Sequence, residues 1–128
     1  MTTPAEKSNI RAGDIVWADF RPIRGSEQDG VRPALVLTDI DYHEHDAKAI
    51  VCPITSNERP WPTKVAVPEG SGVRGAILVD QVRSVDRAAR GFRPAGRVPE
   101  ATLAEVRRRL AALVGIDANG SPGEPDAP

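Results

Sequence analysis

At 128 residues the chain is long enough to enclose one hydrophobic core and too short for two, so it reads as a single domain. Its formal net charge of −1 excludes binding driven by an overall cationic field, and its one cysteine excludes a disulfide framework or a multi-cysteine metal site. No apolar run reaches the roughly 18 residues of a membrane-crossing helix, and the N-terminus lacks the charged-then-apolar layout of a signal peptide, so a cytoplasmic protein with no membrane partner is expected.

Residues 1–10 read as a flexible leader, residues 11–116 as the folded unit, and residues 117–128, with three prolines and two glycines, as a disordered acidic tail. Within the folded part the runs "DIVWADF", "PALVLTDI", "KAIVCPI", "TKVAVP", "AILVD" and "VRSVD" are short, rich in β-branched residues and separated by Gly, Pro, Asn and Asp. That pattern predicts a mainly β fold of the α+β type, a small antiparallel barrel or tightly curled sheet. Cys52, inside "AIVCPI", is expected to be a buried, inert thiol. The exception is "PEATLAEVRRRLAALVGI", where Leu103, Val106, Leu110, Leu113 and Val114 recur at helical spacing. Pro99 suits its first turn and Gly115 its stop, so one C-terminal amphipathic helix packs on the sheet. Arg107, Arg108 and Arg109 within it read as a solvated face, because three consecutive helical residues span most of the circumference.

Charge is unevenly distributed. The tail carries Asp117, Glu124 and Asp126 with no basic residue, and "DIDYHEHD" at 39–46 holds four acids and no Lys or Arg. Residues 83–109 carry eight arginines against Asp86, Glu100 and Glu105, an excess of five. Of the 17 basic residues 14 are arginine, the side chain suited to forked contacts with phosphate, which permits a nucleic-acid partner.

The polar loop in "RGSEQDGVRPALVL", residues 24–37, exceeds what a turn requires. Pro33 disfavours the helical region for its predecessor, so Arg32 should be extended and fixed at the start of a strand. Gly30 would permit the turn before it and Gly25 would open the loop, leaving Glu27 and Gln28 on a flap beside a fixed arginine. On spacing alone the plainer reading is a hairpin loop with a surface Glu–Arg pair worth at most ~1 kcal/mol. Thr55 and Ser56 follow a strand and offer hydroxyls at the rim of the sheet, though alone they are ordinary turn residues. Gln81 and Arg83 in "VDQVRSVD" would share one strand face. Trp61, framed by Pro60 and Pro62, either presents a stacking platform or folds back on the barrel. His43 and His45 in "YHEHDA" would face one way on a strand, as two metal ligands do, but a third ligand is missing, so a hydrophilic loop is the expectation and no metal or cofactor is assigned.

Taken together, "RAGDIVWADFRPIRGSEQDGVRPALVL", "CPIT", "LVDQVRSVDRAARG" and "GRVPEATLAEVRRRL" resemble the MazF/PemK family of toxin endoribonucleases from bacterial toxin–antitoxin pairs, over about residues 11–116. The ordered set "GSEQ", "G-x-RP", "P-x-T" and "DQVRS-x-D" is more specific than any one fragment. The resemblance implies a small SH3-like β barrel with a C-terminal helix. It also implies metal-independent, sequence-specific cleavage of single-stranded RNA, in which a ribose 2′-hydroxyl attacks the neighbouring phosphorus. The expected ends are a 2′,3′-cyclic phosphate and a 5′-hydroxyl. Arg32 matches the family's catalytic arginine and Thr55 its strand-end threonine. Arg32, cationic at neutral pH, would stabilise the pentacoordinate phosphorus, and Thr55 would donate to a phosphate oxygen. Glu27 is the nominated general base. Ser26, Gln28, Ser56, Trp61, Gln81 and Arg83 are the candidates for RNA contacts. The implied partners are single-stranded RNA, a second copy in a homodimer, and an acidic cognate antitoxin on the same surface.

The rival reading is a non-enzymatic toxin of the CcdB type, which shares the general fold and binds DNA gyrase. Such a protein has no need of "GSEQ", "G-x-RP" and the "P-x-T" strand end. A magnesium-dependent nuclease would concentrate carboxylates near its substrate, whereas the acidic segment is separated in sequence from the arginine loop.

Overall fold

A computed structural model describes residues 9–21 and 30–117. Most of the expected leader, the expected tail after Asp117, and the candidates Ser26, Glu27 and Gln28 lie outside the described residues. Each apolar run seeds a strand: β1 (Asp14–Asp19), β2 (Val31–Val36), β3 (Lys48–Thr55), β4 (Lys64–Ala66), β5 (Ala76–Leu78) and β6 (Arg83–Asp86). A further strand, β7 (Arg93–Arg97), falls in a stretch the apolar runs do not include. All pairings are antiparallel, in the order β4-β5-β3-β2-β1-β7 with β6 also on β3.

β7 escapes the sequence pattern because it contains Pro94 and Gly96 and lies at the edge of the ladder, where a proline's missing donor is tolerated. Its register against β1 slips between Ile15–Gly96 and Val16–Pro94, so Ala95 is the extra residue of a bulge. β3 is shared between two neighbours: residues 48–51 pair with β6 and residues 54–55 with β5. A single 3₁₀ turn, Val79–Gln81, joins those two strands along one edge of β3. The sheet therefore curls around β3 in the manner of an SH3-like barrel. Its ends, β4 and β7, do not pair; instead the Arg97 N–H donates to the Ser71 carbonyl across the seam (3.0 Å).

Both faces of the sheet are covered, which is why strands such as β1 carry consecutive apolar residues instead of a strict alternation. Ile15, Leu35, Cys52, Ile54 and Ile77 face one cluster; Val16, Ala34, Val36, Val51 and Val85 face the other, with Phe20 and Phe92 packed against it. Cys52 is fully buried, and desolvation pushes its thiol up to about 12, so it is the inert core thiol that its apolar setting implied.

Helix α2 (Glu100–Leu113) buries Leu103 and Val106 in the first cluster, each contributing roughly 1.5–3 kcal/mol of apolar burial. It ends where Gly115, at φ +83°, lets the Gly115 and Ile116 N–H groups donate to Ala112 and Ala111, a Schellman cap. The apolar stripe continues past the core: Leu113 and Val114 are 50% and 62% exposed. The triple arginine is not simply a solvated face. Arg107 donates to the Leu37 carbonyl (2.9 Å) and Arg109 to those of Pro62 and Lys64 (2.9 and 3.0 Å), fastening the helix to the sheet. Arg108 alone of the three fits the solvated reading, pairing with half-buried Glu105 on its own helix.

The segment read as a hydrophilic loop contains a short helix, α1 (Ile40–His45), opened by Asp39, whose carboxylate accepts from Ile40 N–H (2.9 Å). That hydrogen bond is the main reason its carboxyl lies below the usual range. On a helix His43 and His45 diverge. His43 is buried, with Nδ1 against the Ile10 carbonyl (2.6 Å) and Nε2 against the Thr38 hydroxyl (2.7 Å). A carbonyl only accepts, so Nδ1 carries the proton and Thr38 donates to Nε2. His43 is thus a core histidine and His45 a surface one, and the segment is a short helix where a hydrophilic loop was expected. Ile10, expected in the flexible leader, is held by the same contact.

Candidate active site

The polar loop begins and ends on a fixed frame. Arg21 grips buried Asp19 through Nε–Oδ1 (2.8 Å) and Nη2–Oδ2 (2.5 Å), a forked pair that planar guanidinium makes and ammonium does not. Arg90 donates to the Arg21 carbonyl (2.7 Å). Gly30 accepts from Phe20 N–H (2.9 Å), extending the β1–β2 ladder by one rung. The turn expected before it lies outside the described residues; its φ is not positive, and a Cβ there would sit 1.9 Å from Arg21 Cγ. Gly30 is small so that the arginine can lie across the chain.

Two residues on, Arg32 is exposed in β2 opposite Ala18 of β1. It is extended, as Pro33 requires. On its other side the β2–β3 register runs Ala34–Pro53, Leu35–Cys52, Val36–Val51. That ladder ends at Ala34–Pro53; Arg32 and Thr55 each lie two residues beyond it, on the face of Ala34 and Pro53, because strand side chains alternate with period two. Thr55 ends β3 half-buried, and its Oγ1 accepts from Asn57 N–H (3.1 Å). With an oxygen lone pair committed to the turn, the hydroxyl proton is the part of Thr55 left to serve a ligand. Arg32 and Ser56 also line one cleft of about 310 Å³, with Trp17, Val73 and Arg74 on its other walls. Exposed Arg93 pairs with Trp17 across β1 and β7, so this end of the sheet gathers guanidinium groups around an indole.

The remaining candidates are more dispersed. Trp61 is 65% exposed and does not fold back on the barrel. Its loop is stapled by Lys64 Nζ, which donates to the Asn57 and Arg59 carbonyls (3.0 and 3.2 Å). Gln81 and Arg83 do not share a strand face: Gln81 belongs to the 3₁₀ turn, and Arg83 begins β6 opposite Val51. The Arg83 guanidinium lies over Phe20, 5.3 Å from the ring centroid, next to the root of the polar loop. Sequence reasoning missed Arg74 and the cleft role of Trp17. The glycine-dense stretch "GSGVRG" was the available signal for the first, since close backbone approach is what such glycines serve.

Comparison with known proteins shows the family of the chain. The family described as PemK-like, MazF-like toxin of type II toxin–antitoxin system matches residues 11–114. The endoribonuclease toxin MazF of Escherichia coli (strain K12) is 35% identical over 103 residues, 80% of this chain and 92% of that protein. Endoribonuclease PemK of Escherichia coli is 34% identical over 113 residues, 84% of each. The crystal structure of MazF from Deinococcus radiodurans superposes with a TM-score of 0.75 at 39% identity, covering 84% of this chain and 97% of that one. With a family match running from before β1 to the end of α2, the chain belongs to the PemK-like, MazF-like toxins of type II toxin–antitoxin systems.

Proposed function

We propose that the protein is a metal-independent endoribonuclease that cuts single-stranded RNA at short sequence motifs, using the ribose 2′-hydroxyl as nucleophile. The observation that carries the reading is Arg32, an exposed arginine on a paired strand at the rim of a cleft, on the sheet face that alternation also gives Thr55. In the reaction the 2′-oxygen bonds to the adjacent phosphorus as its proton leaves, and the P–O5′ bond breaks. The products are a 2′,3′-cyclic phosphate and a 5′-hydroxyl. Arg32 neutralises charge on the equatorial oxygens and gives a proton to the departing 5′ oxygen late in the step, regaining it from water. Thr55 donates to a second phosphate oxygen, and Glu27 takes the 2′ proton. Ser26, Gln28, Ser56, Trp61, Gln81 and Arg83 contact the bases and phosphates around the cut. A cation held by a strand, and not by a loop, favours the transition state because it needs no reorganisation as charge develops.

The protein works as a homodimer in the cytoplasm, and an acidic segment of its antitoxin competes with RNA for the same arginines. Leu113, Val114 and Ile116 supply apolar surface for the dimer. The Deinococcus MazE–MazF complex, whose toxin is 36% identical with a TM-score of 0.72, supports an antitoxin partner. No helix among the described residues is long and apolar enough to cross a membrane.

The test is incubation of the purified protein with a long synthetic RNA in EDTA, with cut positions and end groups mapped. Cleavage to cyclic-phosphate and 5′-hydroxyl ends, lowered at least about 100-fold by Arg32→Ala, is expected. Fragments with 5′-monophosphates, dependence on added metal, or undiminished cutting by the variant would overturn the reading. Intact RNA together with inhibition of gyrase would favour the CcdB-type alternative.

A further inference from the structure

We propose that Arg74 is a second RNA-binding arginine, holding the phosphate next to the scissile one while Arg32 attends the scissile phosphate itself; this rests on the endoribonuclease reading. Arg74 and Arg32 line the same cleft, together with Ser56 and Trp17. The Arg74 side chain is 92% exposed, and its ion pair with Glu58 spans 3.9 Å, the outer limit of such a contact. Water screens a pair of that kind heavily, so an incoming phosphate displaces it at little cost.

Arg74 is exposed but its mount is rigid. A Cβ on Gly72 would lie 2.3 Å from the Ala95 carbonyl, and one on Gly75 2.3 Å from the Thr55 carbonyl. Gly75 also holds φ +141°, where side chains are strained. The two glycines therefore seat the segment between them directly on the backbones of β7 and β3. That fixes the root of Arg74 relative to Thr55 and, through the sheet, to Arg32. Precise placement of a guanidinium at a cleft mouth suits recognition of a planar or forked anion, and the RNA backbone presents one such anion per nucleotide.

Glu58 has an opposing role. It lines the neighbouring cleft of about 450 Å³ with Glu69 and Arg74, and the two carboxylates there repel a polyanion. The strand is thereby steered past Arg74 toward Trp17 and Arg32 and away from the acidic side. Neutralising Glu58 should tighten RNA binding by freeing Arg74 and removing the repulsion.

The full-length protein and its R74A, R74K and E58Q variants are compared on a short RNA containing one mapped cut site. Affinity is measured with the same RNA carrying 2′-deoxyribose at the cut. Arg74→Ala is expected to weaken binding and raise KM about ten-fold with kcat unchanged. It should also flatten the slope of log affinity against log salt by about 0.7, one phosphate contact on single-stranded RNA. Arg74→Lys should recover the slope and part of the affinity, and Glu58→Gln should bind more tightly than the parent. A neutral methylphosphonate at one flanking linkage should weaken the parent and leave R74A unaffected. If the parent cuts RNA and R74A matches it in affinity and salt slope, the inference fails and the nuclease reading stands. A loss in kcat alone also overturns it, because that would put Arg74 at the reacting phosphorus. If the parent cuts no RNA, the nuclease reading fails and takes this inference with it.

Discussion

Gly96→Ala probes how the seam of the curled sheet supports the cleft. A Cβ at this position would stand 1.8 Å from the Ser71 carbonyl oxygen and 3.0 Å from Gly72 Cα. Ordinary carbon–oxygen contacts are about 3.3 Å, so the carbonyl must retreat by about 1.5 Å. Such a retreat breaks the Arg97–Ser71 hydrogen bond of 3.0 Å. The obstacle is backbone, not the flexible end of a side chain, so relaxation is limited. Overpacking of this kind costs about 1–3 kcal/mol and the lost hydrogen bond about 1 more. The expected destabilisation is therefore about 2–4 kcal/mol, a large part of a typical domain stability of about 5–15. Gly91→Ala is the control: at φ +64° with nothing within 4 Å, it incurs only the left-handed backbone penalty of about 1 kcal/mol. Urea unfolding followed by the fluorescence of Trp17 and Trp61 measures both. Gly96→Ala should also weaken RNA binding, because Ser71 and Gly72 carry the segment that bears Arg74. The reasoning is refuted if Gly96→Ala unfolds at the same urea midpoint as Gly91→Ala or above it.

Three further outcomes are expected. Burial holds the His43 imidazole below its ordinary range, opposed by the Ile10 carbonyl and by Asp39 and Asp14, and reinforced by Arg87. The unfolded chain takes up this proton near pH 6.5 while the folded chain does not, so stability is complete above that value and declines as pH falls toward the lowered folded value. The slope should reach at most about 1.4 kcal/mol per pH unit, and thermal melts between pH 7.5 and 5.5 should lose it in His43→Gln. Thr55→Ala should lower kcat by about 10- to 100-fold, and Thr55→Ser should restore most of it, because the hydroxyl and not the methyl serves the phosphate; equal rates in single-turnover assays would exclude Thr55 from the chemistry. Cys52 should resist thiol reagents at pH 8 in the folded protein and react fully in denaturant, since its thiolate is suppressed and its sulfur enclosed; rapid labelling of folded protein would contradict its burial.

Local signals foretold local features well. The strand runs, the cap at Gly115 and the extended Arg32 before Pro33 are each written within a few neighbouring residues, and each stands where those neighbours put it. The failures are of a different kind. β7 is stabilised by its place beside β1, and its own Pro94 and Gly96 argue against a strand. Helix α1 is a single turn and a half, too short to show a period; its Asp39 cap was the one readable sign. Arg107 and Arg109 reach carbonyls that are distant in sequence, at Leu37, Pro62 and Lys64, so their tethering role exists only after the chain has folded. The same holds for the cleft. "G-x-RP" and "P-x-T" are visible as motifs, but the pairing of β2 with β3 that brings their strands side by side exists only in the folded sheet. Arg74 enters the site through a loop whose seat is made by backbones elsewhere.

The grip of Arg21 on Asp19, with Gly30 flattened beneath it, has a consequence for how this family of toxins could diversify. Two posts bracket residues 22–29, one held by a buried ion pair and the other by a strand ladder. On the proposed reading, which puts RNA contacts at Ser26 and Gln28, preference would be exchangeable between the posts like a cassette, with the chassis and its arginine undisturbed.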